Sequence, residues 1–208
     1  MPKLLPKSFY TRHDVVQVAK DLLGKQLIST IGKEKTTGII VETEAYRAPD
    51  DKACHAYANK LTERTKTMFD EGGVAYVYIC YGIHHLFNVV TADEGMAHAV
   101  LIRAVEPTNG LKLMELRRGM SAKRKESCNG PGKFTKAMGI DKSYNGISLM
   151  SRKSSIYIED AKAIPEAQIV SGPRVGMSTA EECSNWPWRF RIADNPWSSK
   201  PDHVWYDL

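Results

Sequence analysis

Two pairs of β-branched and aromatic runs, each closed by a short polar or glycine-bearing turn, constrain the fold more than any other feature of this sequence. Residues 25–31 and 38–46 read as strands joined by a polar turn over 32–37, and residues 74–81 and 85–91 form a second pair around Gly82. A further strand is expected over 97–105, with shorter ones near 155–158 and 188–192. Helical signals are fewer. Thr11 with Asp14 resembles a capping box, and Val15, Ala19 and Leu22 then share one helical face before Gly24. A short basic helix is expected over 108–118, and Gly130-Pro131-Gly132 opens another that runs to Met138 after a loop over 119–129. Hairpins therefore outnumber alternating strand–helix units. The expected class is α+β: one domain over residues 1–208, with a largely antiparallel mixed sheet and surrounding helices.

Composition narrows the function classes. No apolar run approaches the ~18 residues of a membrane span. The opening Met1-Pro2-Lys3-Leu4-Leu5-Pro6-Lys7 is too short and too broken by proline for a secretory signal. Cys54, Cys80, Cys128 and Cys183 are widely spaced without metal-type pairing, so they read as reduced structural thiols of a cytoplasmic protein. The net charge of +5 is concentrated: residues 108–153 hold eleven Lys or Arg against three Asp or Glu. Such a segment fits a polyanionic partner, and equally a solvated surface loop.

Two segments carry candidate chemistry. In Ile39-Ile40-Val41-Glu42-Thr43-Glu44-Ala45-Tyr46 a strand's period of two puts Glu42, Glu44 and Tyr46 on one face. Carboxylates at the edge of a core can be tuned for general-base work; the alternative is a half-exposed strand with ordinary surface acids. In the second segment Tyr76 and Tyr78 share a face, and Tyr81 stands beside Gly82 at the hairpin tip. An aromatic at an exposed tip either packs on its own hairpin or inserts into something else, as minor-groove wedges do. His55 reads as a loop histidine and Asn88 as a core amide in need of partners, while Arg103 in an apolar strand needs a carboxylate.

Taken in order, Glu42-Thr43-Glu44-Ala45-Tyr46, His55, Met68-Phe69, Tyr76-Val77-Tyr78, Tyr81-Gly82 and Asn88 resemble the alkyladenine (3-methyladenine) DNA glycosylase family. The resemblance continues through Leu101-Ile102-Arg103-Ala104-Val105-Glu106-Pro107, Asn129-Gly130-Pro131-Gly132-Lys133 and Gly172-Pro173-Arg174-Val175-Gly176, from about Phe9 to Trp197. It implies a single-domain enzyme of base excision repair, with no metal or cofactor. Such an enzyme acts as a monomer on duplex DNA and, in a bacterial-type cytoplasm, is nucleoid-associated when bound. A damaged purine, alkylated or deaminated, would be flipped out and held between Tyr46 and His55 on one side and Tyr78 on the other. Tyr81, on a protruding hairpin, would fill the gap in the stack. Glu44 would deprotonate the attacking water and Arg103 would help hold it. The backbone at His55 would contact the base, Asn88 would disfavour guanine, and Arg64 and Lys133 would lie against the DNA backbone. An abasic site would remain, with no lyase step expected because no lysine stands in the pocket motifs.

Elementary energetics agree with that implication. Flipping costs a few kcal/mol, least for a lesion that already pairs poorly. Stacking on aromatic side chains returns ~1–3 kcal/mol per base, and a cationic ring gains more against tyrosine faces. Glu42 and Glu44 could suggest the acid and base of a two-carboxylate glycosidase. Both point the same way, however, whereas an acid and a base flank the scissile bond. A cationic N-alkylated purine leaves without an acid, so Glu44 is assigned as base and Glu42 as a structural or tuning group. His84-His85 departs from the aromatics frequent in the family at this place, and adjacent strand residues point to opposite faces, which disfavours a metal site there. Two other classes remain in view: a damage-binding protein without catalysis, and an RNA-binding module that uses the tyrosines as stacking platforms.

Overall fold

Two twelve-residue strands, β2 (Thr36–Arg47) and β5 (His98–Asn109), pair antiparallel along their length and form the spine of the molecule. The computed structural model describes residues 2–177 and 180–199. Around the spine lie β1 (Gln26–Ser29), β3 (Ala75–Cys80), β4 (His84–Thr91), β6 (Ile156–Glu159), β7 (Ile169–Gly172) and β8 (Arg189–Ile192). The sheet runs β3-β4-β5-β2-β1-β6, and β8 joins the same edge of β2 further along, with β7 outside it. Each of these pairings is antiparallel. The α-helices among the described residues are α1 (Lys7–Tyr10), α2 (Val15–Asp21), α3 (Leu111–Arg118) and α4 (Pro131–Met138). No described helix is long and apolar enough to cross a membrane.

The two faces of the sheet are covered differently, and this places the site. Alternation sends Ala45, Val77, Phe87, Val89, Val100 and Ile102 to one face, where they join Val18 and Ala19 of α2 and Phe134 and Met138 of α4 in the main core. The intervening residues Tyr46, Tyr76, Tyr78, Val90 and Ala99 face the other way and form a second apolar cluster with Ala48, Cys54, Ala56 and Met68. That second face is roofed by the chain between β2 and β3, which holds two short 3-10 turns (Tyr57–Asn59 and Lys66–Phe69) instead of an α-helix. Loops over a rigid sheet are where binding groups are usually carried.

The expected elements are present, with shifted ends and two additions, the one-turn helix α1 and the strand β7. The capping-box reading of Thr11 with Asp14 is displaced: Asp14 is itself the N-cap of α2, its Oδ1 accepting from Gln17 N at 3.0 Å, while Thr11 closes α1. The basic helix begins at Leu111, because β5 continues to Asn109 and Gly110 (φ 74°) turns the chain. Pro131 stands in the first turn of α4, where its missing N–H costs nothing. The short edge strand β7 has no counterpart in the sequence reading. Its burial is irregular, and its pairing with β8 is set by the long-range fold. The four cysteines are unpaired, and burial pushes the thiols of Cys54 and Cys128 up to about 12 and about 11.

Candidate active site

The floor of the site is made where β2 and β5 lose register. Ile40 pairs with Val105 and Glu42 with Ala104, so Val41 is an extra residue on β2; Thr43 then pairs with Ile102, which leaves Arg103 extra on β5. Paired bulges of this kind re-aim side chains. Here they bring Arg103 between Glu42 and Glu44: Nε donates to Glu42 Oε1 at 2.9 Å, and Nη1 lies 3.2 Å from Glu44 Oε1. Both carboxylates are fully buried, which removes the reading of them as surface acids.

Their surroundings differ. Glu42 Oε1 accepts also from Arg189 Nε (2.8 Å) and Ser199 Oγ (2.7 Å), and Oε2 accepts from Ser199 N (2.8 Å). Burial alone would raise its pKa, but Arg103, Arg189 and the Ser199 donors outweigh burial and hold this carboxyl below its ordinary range. Glu44 Oε1 accepts from Val175 N at 2.8 Å, and Oε2 accepts from the Tyr46 hydroxyl at 2.8 Å. A carboxylate offers about four lone-pair positions, so with Arg103 three are engaged and one remains among the described residues. Burial would weaken the charge on Arg103; Glu44 and Glu42 reverse this and hold the guanidinium firmly protonated.

Beyond Tyr46 an open pocket of about 340 Å³ is lined by Tyr46, Ala53, His55, Met68, Tyr76, Tyr78, Asn88, Ala99 and Met177. The rings of Tyr76 and Tyr78 stack at 5.4 Å, and His55 meets Tyr78 edge-on at 4.6 Å. Arg64 Nη2 lies 2.9 Å from His55 Nε2, and its guanidinium sits 5.0 Å above the Tyr78 ring. Arginine only donates, so Nε2 accepts and the ring proton is on Nδ1, pointing to the Tyr76 hydroxyl at 3.0 Å. Burial first, and the Arg64 charge second, push the His55 pKa down to about 4, which keeps the imidazole neutral. Burial also raises the phenols, Tyr76 to about 12 and Tyr46 and Tyr78 further. Asn88 is buried, and its Nδ2 donates to Tyr76 O at 3.0 Å across the hairpin, which fixes the amide at the pocket wall.

Past the pocket the β3–β4 hairpin runs out into solvent. Tyr81 (φ 51°) and Gly82 (φ 72°) form its tip, the left-handed pair that a tight hairpin requires. Tyr81 is 91% exposed, flanked by exposed Ile79 and Ile83. The start of α4 packs beside the hairpin: a Cβ on Gly132 would lie 2.9 Å from His84 Cβ, so glycine permits the approach. His85 points elsewhere, its Nδ1 accepting from Lys142 N at 3.1 Å. Lys133 is exposed and holds Asn129 Oδ1 at 2.9 Å, while Lys123, Arg124 and Lys125 are exposed in the preceding loop.

The structure thus lines one pocket with Tyr46, His55, Tyr78 and Asn88, with Arg64 against His55 and Tyr78; it sets Glu44 behind the wall at the Tyr46 hydroxyl with Arg103 beyond it, and Tyr81 and Lys133 apart on the hairpin and on α4. Sequence reasoning missed several groups. Arg189 and Ser199 come from the C-terminal segment, Asp51 from the turn after β2, and Met177 lines the pocket. Arg174 and Val175 lay within a quoted motif, but no local pattern shows that Val175 N reaches Glu44.

A charge-paired buried carboxylate beside an aromatic pocket, with an exposed aromatic tip and a basic flank, is a set of groups suited to a protein that handles the bases of nucleic acid. The methylpurine-DNA glycosylase (MPG) family profile matches residues 8–196. Proteins named "Putative 3-methyladenine DNA glycosylase" are similar over nearly their whole length. That of Chlamydia felis is 47% identical over 190 residues, covering 91% of this chain and 96% of its own. That of Natranaerobius thermophilus is 47% identical, covering 94% and 98%, and that of Bacillus cytotoxicus 44%, again covering 94% and 98%. The chain belongs to the methylpurine-DNA glycosylase family.

Proposed function

We propose that this protein removes alkylated purines from duplex DNA by hydrolysing the N-glycosidic bond, with Glu44 as the base that activates water and Arg103 helping to hold that water. The observation that carries the reading is the buried Glu44 carboxylate, one hydrogen bond beyond the pocket wall through Tyr46, with a single lone-pair position unengaged among the described residues. A water in that position would face a base seated between Tyr46, His55 and Tyr78. Membership of the family supports DNA as the substrate and N-glycosyl hydrolysis as the reaction class.

The pocket's protonation states bear on which lesions suit it. Neutral His55 and the raised phenols are poor proton donors at neutral pH. A leaving base that already carries positive charge needs no such donor, and its ring is attracted to tyrosine faces. Cationic N-alkylated purines therefore fit best, and deaminated purines such as hypoxanthine are the weaker substrates. Asn88, held by Tyr76 O, presents a fixed amide that selects against guanine's exocyclic amino group. Tyr81 holds a left-handed backbone that costs a non-glycine residue ~1–3 kcal/mol; inserted into the stack, it would fill the gap left by the flipped nucleotide. Arg64 and Lys133 would take phosphates once DNA draws them from His55 and Asn129. The enzyme is read as a monomer that leaves an abasic site, with no lyase step.

Single-turnover excision from duplexes carrying 3-methyladenine, 7-methylguanine or hypoxanthine tests this reading. Release of 3-methyladenine by wild type ahead of 7-methylguanine, whose exocyclic amino group meets Asn88, and loss of that release in Glu44→Gln by ~10²–10⁴-fold, is the expected result. Full activity of Glu44→Gln would remove the base assignment; tight lesion binding without release would favour a damage-recognition protein.

A further inference from the structure

We infer that Arg174, clamped by Asp51, is a positioning residue that registers the base-holding wall against the Glu44 carboxylate. The inference rests on the role given to Glu44 and the aromatic pocket above. Arg174 and Asp51 are both buried, and the guanidinium grips the carboxylate with both arms: Nη2 donates to Oδ1 at 2.8 Å, and Nη1 donates to Oδ2. Nη1 also donates to Ala45 O at 2.9 Å, the carbonyl between Glu44 and Tyr46. Nη2 reaches Cys183 O at 3.0 Å. The plane of the group packs 4.7 Å from the Tyr46 ring and 5.4 Å from Trp188.

Each arm of this clamp leads to a different part of the site. Through the chain, Arg174 is followed by Val175, whose N–H holds Glu44 Oε1, and by Met177 in the pocket wall. Through Asp51, whose Oδ1 accepts from Ala53 N at 3.0 Å, it fixes the turn that carries Ala53 and His55. Through its own face it backs Tyr46, whose hydroxyl holds Glu44 Oε2. The base-holding groups and the carboxylate thus share one anchor. Only a planar fork can serve it, since an ammonium group cannot bond two oxygens side by side while lying flat on a ring. Misplacement of a reacting group by about 1 Å can cost ~10²-fold in rate, so the consequence of a loosened clamp falls on the chemical step. Binding of undamaged duplex, which uses the hairpin and basic flank, is left alone.

Two variants test this. Arg174→Lys keeps the charge and loses the fork; Asp51→Glu keeps both charges and lengthens the clamp by one methylene. Three quantities are measured on folded protein: Kd for undamaged duplex, single-turnover release of a cationic lesion, and the fluorescence of an ethenoadenine duplex, which reports how the flipped base stacks. Expected are an unchanged Kd, a release rate lowered by about tenfold or more, and an altered ethenoadenine signal. Release by both variants within twofold of wild type, whatever happens to Tm, overturns the inference. So does failure of both variants to fold, which would make the pair a requirement of folding and not of placement. A wild-type protein that releases no base overturns the functional reading itself, an outcome distinct from variants that match an active wild type.

Discussion

Glu42 and Glu44 stand two residues apart on β2, are equally buried and share Arg103, yet their partners assign them different work. Substituting Glu42 by Gln removes the charge that faces Arg103 Nε and Arg189 Nε and leaves Glu44 as the carboxylate that still faces Arg103 among the described residues. It also places an amide NH₂ against the donors Ser199 N and Oγ. Breaking a buried pair from one side costs ~3–5 kcal/mol, a large share of the ~5–15 kcal/mol that holds a typical domain together. At ~2–4 °C per kcal/mol for a chain of this size, Tm should fall by ~6–20 °C. Glu44→Gln is milder, about 1–3 kcal/mol, because the Tyr46 hydroxyl can turn to accept and Glu42 still neutralises Arg103. The pH dependence carries a second signature. The folded pKa of Glu42 is depressed, so the unfolded chain takes up the proton first as pH falls. The stabilisation is present above the ordinary carboxylate range and is lost as pH drops through the folded value. Calorimetry and urea titration between pH 7 and pH 3 should therefore show a steep acid loss in wild type that is blunted in Glu42→Gln. A Glu42→Gln protein whose Tm stays within about 2 °C of wild type, with the same acid profile, would refute the assignment of Glu42 as the charge anchor of the floor.

Three further outcomes follow from single features. His55 has a folded pKa of about 4 against an ordinary 6.5, so protons favour the unfolded chain and stability declines as pH falls between those values. Between pH 7 and pH 5 this accounts for at most about 2 kcal/mol; His55→Gln should remove it in urea titrations, leaving the smaller contribution of His98, which is shifted in the same direction. Tyr81→Ala should leave stability within about 0.5 kcal/mol of wild type, since the ring is exposed, but lower duplex excision by the ~1–3 kcal/mol of a stacked ring; unchanged excision would mean that the tip does not insert. Replacing Lys123, Arg124, Lys125 and Lys133 by Gln should flatten the salt dependence of duplex affinity by up to ~4 in log–log slope, and an unaltered slope would make them a solvated surface.

The architecture was legible where the cause is local. Paired runs around a tight turn specify the β3–β4 hairpin, and Gly130-Pro131 fixes the start of α4, because turn and cap chemistry act between near neighbours. Strand alternation likewise separated Tyr76 and Tyr78 from Val77 and placed Glu42, Glu44 and Tyr46 together. The edge strand β7 was not legible, since nothing in its four residues marks them apart from their partner β8, which lies far along the chain.

The site divides in the same way, and the division explains why period-two reasoning succeeded only halfway. It put both glutamates on one face but left open whether that face was solvent or interior. Burial was decided by the C-terminal segment, which lays β8 and Ser199 over Glu42, and by the chain near Val175, which covers Glu44. Arg103 needed a further non-local event, the double slip of register that leaves it unpaired between Ile102 and Ala104. A regular ladder would hold Arg103 to the spacing of its strand neighbours. The bulges free it to meet one carboxylate with Nε and the other with Nη1, so that a single guanidinium both secures Glu42 and reaches the group proposed to activate water. The chemistry of the two acids is thus not written in their own positions on β2, which are nearly equivalent; it is set by what the rest of the chain brings to each.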